Sequence, residues 1–137
     1  MTWHLSCDEE PPKYLDTYDQ PWYFGVQANG KFVENWEPRC FGGLVGIMPP
    51  LVAWMEMPAE DDPAWHKKRS DMPPLDTMVI TYYKTGRGKK RKESCCFNRR
   101  RRDAAGHLWW ERFDGTCIKA WMPLPEITDE VRRQLWL

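Results

Sequence analysis

The chain repeats itself, and that repetition limits its folding more than any other property. Trp3-His4 recurs as Trp65-His66, and Pro11-Pro12 recurs as Pro73-Pro74 at the same spacing. Leu15-Asp16-Thr17 returns as Leu75-Asp76-Thr77 at nearly that spacing. Trp36-Glu37, Arg39, Phe41 and Gly43 return in order as Trp110-Glu111, Arg112, Phe113 and Gly115. Ala53-Trp54-Met55 with Pro58 returns as Ala120-Trp121-Met122 with Pro125. Ordered matches of this kind mark a duplicated unit. The copies run over 1–60 and 65–137, joined by the acidic stretch Ala59-Glu60-Asp61-Asp62-Pro63-Ala64, which suits a solvated linker. The second copy carries extra residues between Tyr83 and Leu108.

Local patterns predict strands in both copies. Met78-Val79-Ile80-Thr81-Tyr82-Tyr83 is β-branched and aromatic and follows a Pro-Pro turn. Lys84–Lys92, with Gly86 and Gly88, is the expected hairpin connection, and Glu93–Arg99 the returning strand. Cys95 and Phe97 then point to one face and Cys96 to the other. Leu108–Phe113 and Thr116–Met122 flank Asp114-Gly115 and read as a second hairpin. In the first copy, Trp22–Gln27 and Lys31–Trp36 flank Asn29-Gly30, with Leu51–Met55 as the last strand. Thr128 is placed to cap a short C-terminal helix with Val131, Leu135 and Trp136 on its buried side. The expected fold is mainly β, a β-rich α+β protein. Two pseudo-repeated small antiparallel β-meander modules, each marginal alone, are packed together and followed by the short helix.

Nine Trp, five Tyr and five Phe in 137 residues supply large buried areas, which argues against disorder. The uncharged stretch Cys40–Met55 is too short and too broken by Gly and Pro to span a membrane. Met1–Glu10 has no basic region followed by an apolar run, so no secretory signal is expected. Five Cys without a CxxC pair read as reduced thiols in a cytoplasmic protein, with no structural zinc and no cofactor expected.

Net charge is zero, yet it is sharply segregated. Residues 1–83 hold 6 basic and 13 acidic groups, whereas 84–102 hold 10 basic groups against Glu93 alone. Arg87, Lys89, Lys90, Arg91 and Lys92 crowd the expected hairpin tip, and Arg99, Arg100, Arg101 and Arg102 its far end. Such a cluster can track phosphates, with Tyr82, Tyr83 and Phe97 near enough to stack on bases. It can equally dock on an acidic protein surface or stay solvated.

Trp65, Met72-Pro73, the Val79–Tyr83 strand and the closing Trp121-Met122-Pro123-Leu124-Pro125-Glu126 resemble a family of short phage and prophage proteins, domain-of-unknown-function family 551. The resemblance covers the second copy and, more weakly, the first. It implies a phage or prophage origin and a bacterial cytoplasm, and it carries no activity. Members often place a His before the signature Trp, where this chain has Ala53 and Ala120. Trp54 and Trp121, with Pro123 and Pro125, either anchor the core and rigidify the exit or line a ligand cleft between the modules.

Catalytic patterns are absent. His4 and His66 occupy equivalent repeat positions, which suggests a shared structural role, and His107 has no nucleophile in a motif. Gly86-Arg87-Gly88 lacks the rest of a phosphate-cradling loop. The leading expectation is a phage-encoded, non-enzymatic protein that binds a host protein with an acidic surface through the basic hairpin. The alternatives are nucleic-acid binding by the same arm, and sequestration of a nucleotide in an aromatic cleft between modules.

Overall fold

A computed structural model describes residues 3–8, 23–36 and 50–136 of the chain. Those residues are mainly β, in two four-stranded antiparallel sheets with one short α-helix. The chain divides into two compact units: 1–57 together with 125–137, and 58–124. This differs from a division at 60–65, because the segment that carries the helix belongs with the first unit.

In the first unit, β1 (His4–Leu5), β2 (Tyr23–Gln27), β3 (Phe32–Trp36) and β4 (Leu51–Glu56) lie in the order β1-β4-β2-β3. Asn29-Gly30 turns the β2–β3 hairpin as expected. The Gly30 N–H donates to the Gln27 carbonyl, the Asn29 side chain accepts from the Lys31 N–H, and Gly30 takes a φ of +84°. All of β2 is buried, and Gly25 at its centre leaves room for Leu51, whose Cδ2 would lie 2.5 Å from an added Cβ.

The core of this unit gathers Tyr23, Phe24, Val26, Trp54 and Met55, none more than 2% exposed. Trp54 meets Tyr23 edge-on at 5.2 Å. The helix α1 (Asp129–Arg133) is capped by the Thr128 hydroxyl, which accepts from the Val131 N–H, and Val131 is fully buried. Two hydrogen bonds tie this segment to its unit: the Trp3 indole donates to the Pro125 carbonyl at 3.1 Å, and the Trp136 N–H to the Ala28 carbonyl at 2.7 Å. Trp136 was expected on the helix's buried side. Its side chain is instead 66% exposed, because it lies beyond the helical turn that would have directed it inward.

In the second unit, β5 (Met78–Thr85), β6 (Lys92–Arg102), β7 (Leu108–Trp110) and β8 (Ile118–Pro123) lie in the order β7-β6-β5-β8. β5 and β6 form an unbroken ladder from Met78↔Arg99 to Thr85↔Lys92. Cys95 and Phe97 share one face and Cys96 the other, where the Thr81 hydroxyl lies 3.3 Å from its sulfur.

Neither sheet is a plain meander. In each, the last strand returns beside the first strand of the hairpin: β4 beside β2, and β8 beside β5. Asp114-Gly115 therefore does not join paired strands, since β7 and β8 sit at opposite edges of their sheet. Residues 111–117 cross the sheet instead. The buried Asn98 side chain holds the crossing by accepting from the Arg112 N–H and donating to its carbonyl, both at 2.9 Å. Asp114 then makes a local turn, its side chain accepting from the Thr116 N–H and its carbonyl from the Cys117 N–H.

The two sheets agree in detail. Ala53-Trp54-Met55 pairs with Val26-Gly25-Phe24, and Ala120-Trp121-Met122 with Tyr82-Thr81-Ile80. Each register shifts one step further on, between Val26 and Gln27 and between Tyr82 and Tyr83. His4 pairs with Trp54 and His66 with Trp121. The Trp36 and Trp110 matches fall differently, on the hairpin's second strand in one sheet and one strand further out in the other.

Candidate functional site

The basic segment 84–102 does not form one surface. Its first part is the hairpin tip, Gly86–Arg91, which contains a short 3-10 turn at Gly88–Lys90. Gly86 has a φ of +77° with its α-carbon pressed against the Lys90 backbone, 2.3 Å from where a Cβ would sit. That close approach fans the side chains of Arg87, Lys89, Lys90, Arg91 and Lys92 outward, and all five are exposed. Arg91 reaches Glu93 at 3.7 Å. Arg87, Lys89, Lys90 and Lys92 enter no ion pair among the described residues. Behind the tip, Lys84 lies 2.9 Å from Glu60, and this hydrogen-bonded cation holds the Glu60 carboxyl below its ordinary range.

The arginines at the far end belong to β6 itself, which runs longer than its local pattern suggested, and pleating sends them to alternate faces. Arg99 and Arg101 share one face and both pair with Glu111, at 3.7 and 3.2 Å. Arg101 also meets Asp76 at 3.0 Å, and this hydrogen bond pushes the guanidinium pKa up from its ordinary value. Arg100 projects oppositely, its guanidinium 5.2 Å over the Trp110 ring. Its Nε is buried with no hydrogen-bond partner among the described residues. Arg102 is exposed at the strand end.

Of the three rings expected to stack on bases near the tip, Tyr82 and Phe97 are buried and Tyr83 is half-buried. Tyr82 is 8% exposed with Trp65 edge-on at 6.0 Å, and Phe97 is 7% exposed. Tyr83 is stacked on Phe113 at 4.2 Å. Burial, with the nearby Glu93 and Glu60 carboxylates adding to it, pushes the Tyr82 hydroxyl up to about 12.

Both signature tryptophans are buried, and each is stacked by the histidine of its own unit: His4 on Trp54 at 4.5 Å and His66 on Trp121 at 4.3 Å. The Trp121 indole also donates to the Asp71 carbonyl at 2.6 Å, and His66 meets the Asp71 carboxylate. Pro123 ends β8, and the Pro125 carbonyl accepts from Trp3.

Trp121 has a second role in the second unit. With Trp110 and Val79 it forms a buried cluster, and with Arg100 it lines a cavity of about 510 Å³. The cations around that cavity are Lys67, Lys68, Arg69, Arg100 and Lys119. Its apolar wall is Met72, Leu108, Trp110, Ile118 and Trp121, and no carboxylate lines it among the described residues. Of these cations, sequence reasoning singled out only Arg100. Lys67-Lys68-Arg69 was visible as a run of three cations directly after Trp65-His66 in an otherwise acidic half, but the net charge of that half concealed it.

Among the described residues, no group of three or more His, Cys, Asp or Glu side chains is placed to hold a metal ion. No helix among them is long and apolar enough to cross a membrane. No family model, no curated protein and no solved structure matches this chain.

Proposed function

We propose that this chain is a phage- or prophage-encoded, non-enzymatic protein that inhibits or modulates a host protein, gripping an acidic surface on it with the hairpin tip. The observation that carries the reading is the set of exposed, unpaired cations Arg87, Lys89, Lys90 and Lys92 at the end of the β5–β6 ladder. A charge cluster on a preformed element accelerates encounter with an oppositely charged surface and fixes its register. The burial of Tyr82 and Phe97, with Tyr83 held against Phe113, favours a protein over a single strand of nucleic acid at the tip, since strand binding relies on exposed stacking platforms. The phage origin rests on the resemblance of the Trp-Met-Pro-Leu-Pro-Glu ending. We further propose that the two units are copies of one module, supported by their common strand return, register shift and His–Trp pairing.

Affinity capture from bacterial lysate, with and without nuclease and at low and moderate salt, tests the proposal. The comparison is the intact chain against a variant carrying R87E, K89E, K90E and K92E, whose exposed positions leave folding unaffected. The expected result is a protein partner that survives nuclease and disappears with the variant. Recovery that vanishes with nuclease reassigns the tip to nucleic acid, and equal capture by the variant overturns the role of the tip.

A further inference from the structure

We infer that the cavity beside Trp110 and Trp121 is a binding site for a phosphorylated, flat-ringed ligand, chemically a nucleotide. This inference is independent of the hairpin tip. The residues Lys92 and Arg100 place the two features roughly 26 Å apart along β6.

Charge supplies the first argument. Arg99 and Arg101 are neutralised by Glu111 and Asp76, while Arg100 between them turns to the cavity and meets no carboxylate among the described residues. Lys67, Lys68 and Arg69 join it from the segment after Trp65, and Lys119 from β8, where its ammonium donates to the Thr116 carbonyl at 2.8 Å. Five cations around one concavity repel one another, and an anion seated among them relieves that repulsion.

The wall decides the rest of the ligand. A bare inorganic anion has no use for the accessible apolar side chains Met72, Leu108 and Ile118, behind which Trp110 and Trp121 lie buried under Arg100 and His66, and an apolar molecule has no use for the cations. A phosphate ester on a flat heterocycle uses both. The volume of about 510 Å³ falls within the usual range of small-ligand sites and accommodates one nucleotide. That chemistry is shared by a free nucleotide and by the phosphorylated end of a strand.

Isothermal titration calorimetry on the intact chain at low salt separates these cases. The probes are adenosine and guanosine monophosphates, adenosine, inorganic phosphate, and a short single-stranded oligonucleotide with and without a 5′-phosphate. A monophosphate should bind at least about tenfold more tightly than adenosine or inorganic phosphate. R100Q should weaken it by about tenfold or more, and so should K68E with R69E, which lie exposed outside the core and so test the charge without risking the fold. At about 0.15 M salt, where charges this far apart are screened, the tip variant R87E/K89E/K90E/K92E should bind monophosphates as the intact chain does, so a failure of the hairpin reading and a failure of this one are told apart. Stronger binding of the 5′-phosphorylated strand than of the monophosphates assigns the ligand to a strand end; the reverse assigns it to a free nucleotide. Equal affinity for adenosine, no heat with any monophosphate at millimolar concentration, or binding indifferent to R100Q and to K68E/R69E would overturn the proposal.

Discussion

Cys95 lies on the β6 face opposite Cys96, 3% exposed, with its thiol 3.7 Å from the Pro58 carbonyl. Burial, reinforced by Cys96, pushes this thiol from its ordinary 9.0 up to about 12. A raised thiol pKa means the folded chain holds the proton after the unfolded chain has lost it. The stabilising difference is therefore fully present below about pH 9 and is lost progressively as pH rises toward about 12. In denaturant titrations from pH 8 to 11, the decline in unfolding midpoint should be shallower for Cys95→Ala than for the unsubstituted chain. Tyr82, raised in the same direction, contributes to the decline that persists in the variant. An identical slope in both proteins would show that Cys95 ionises freely in the fold. The sequence placed Cys95 and Cys96 on opposite faces by simple alternation, and the ladder has them so. It could not show how deeply each would be buried, because burial depends on which distant segment covers each face.

At the scale of elements, strands were legible where β-branched and aromatic residues run together, as in β5, and the Asn29-Gly30 hairpin was legible because its turn chemistry is local. Pairing across distance was not. Asp114-Gly115 correctly announces a turn, yet a dipeptide carries no information about which strands lie on either side of it. The outcome is decided by Asn98, whose amide satisfies both backbone groups of Arg112 and so directs the chain across the sheet. The same limit hid β1, two residues long, and the alternation of Arg99 to Arg102, which looked like one cluster in the sequence and is split between two faces. Asn98→Ala should lower unfolding free energy by about 1–2 kcal/mol, since it empties a buried polar site and leaves the part-buried N–H and carbonyl of Arg112 without their partner. Urea unfolding provides the measurement, and a loss under about 0.5 kcal/mol would mean that the crossing is held by other contacts.

For the molecule as a whole, the discontinuous composition of the first unit matters most. Its sheet comes from residues before 58, whereas Pro125, Val131 and the Trp136 backbone are contributed from beyond the second unit. Removing residues 125–137 should therefore accelerate hydrogen exchange of the β2 and β4 amides by about tenfold or more, while β5 and β6 remain protected. Uniform acceleration across both sheets, or none in β2 and β4, would count against this division. The sequence pattern foretold a mainly β chain but not the return of residues 125–137 to the first unit, because a signature at the end of a copy reads as part of that copy.

The order of synthesis gives this arrangement a further meaning. As the chain emerges from the ribosome, β1 to β4 appear first, but the residues that cover Trp3 and carry Val131 into their core appear only after β8 is complete. The second unit has all its strands by then. The half made first is finished last, so a chain truncated after Leu124 would carry a whole cationic unit tethered to an incomplete one.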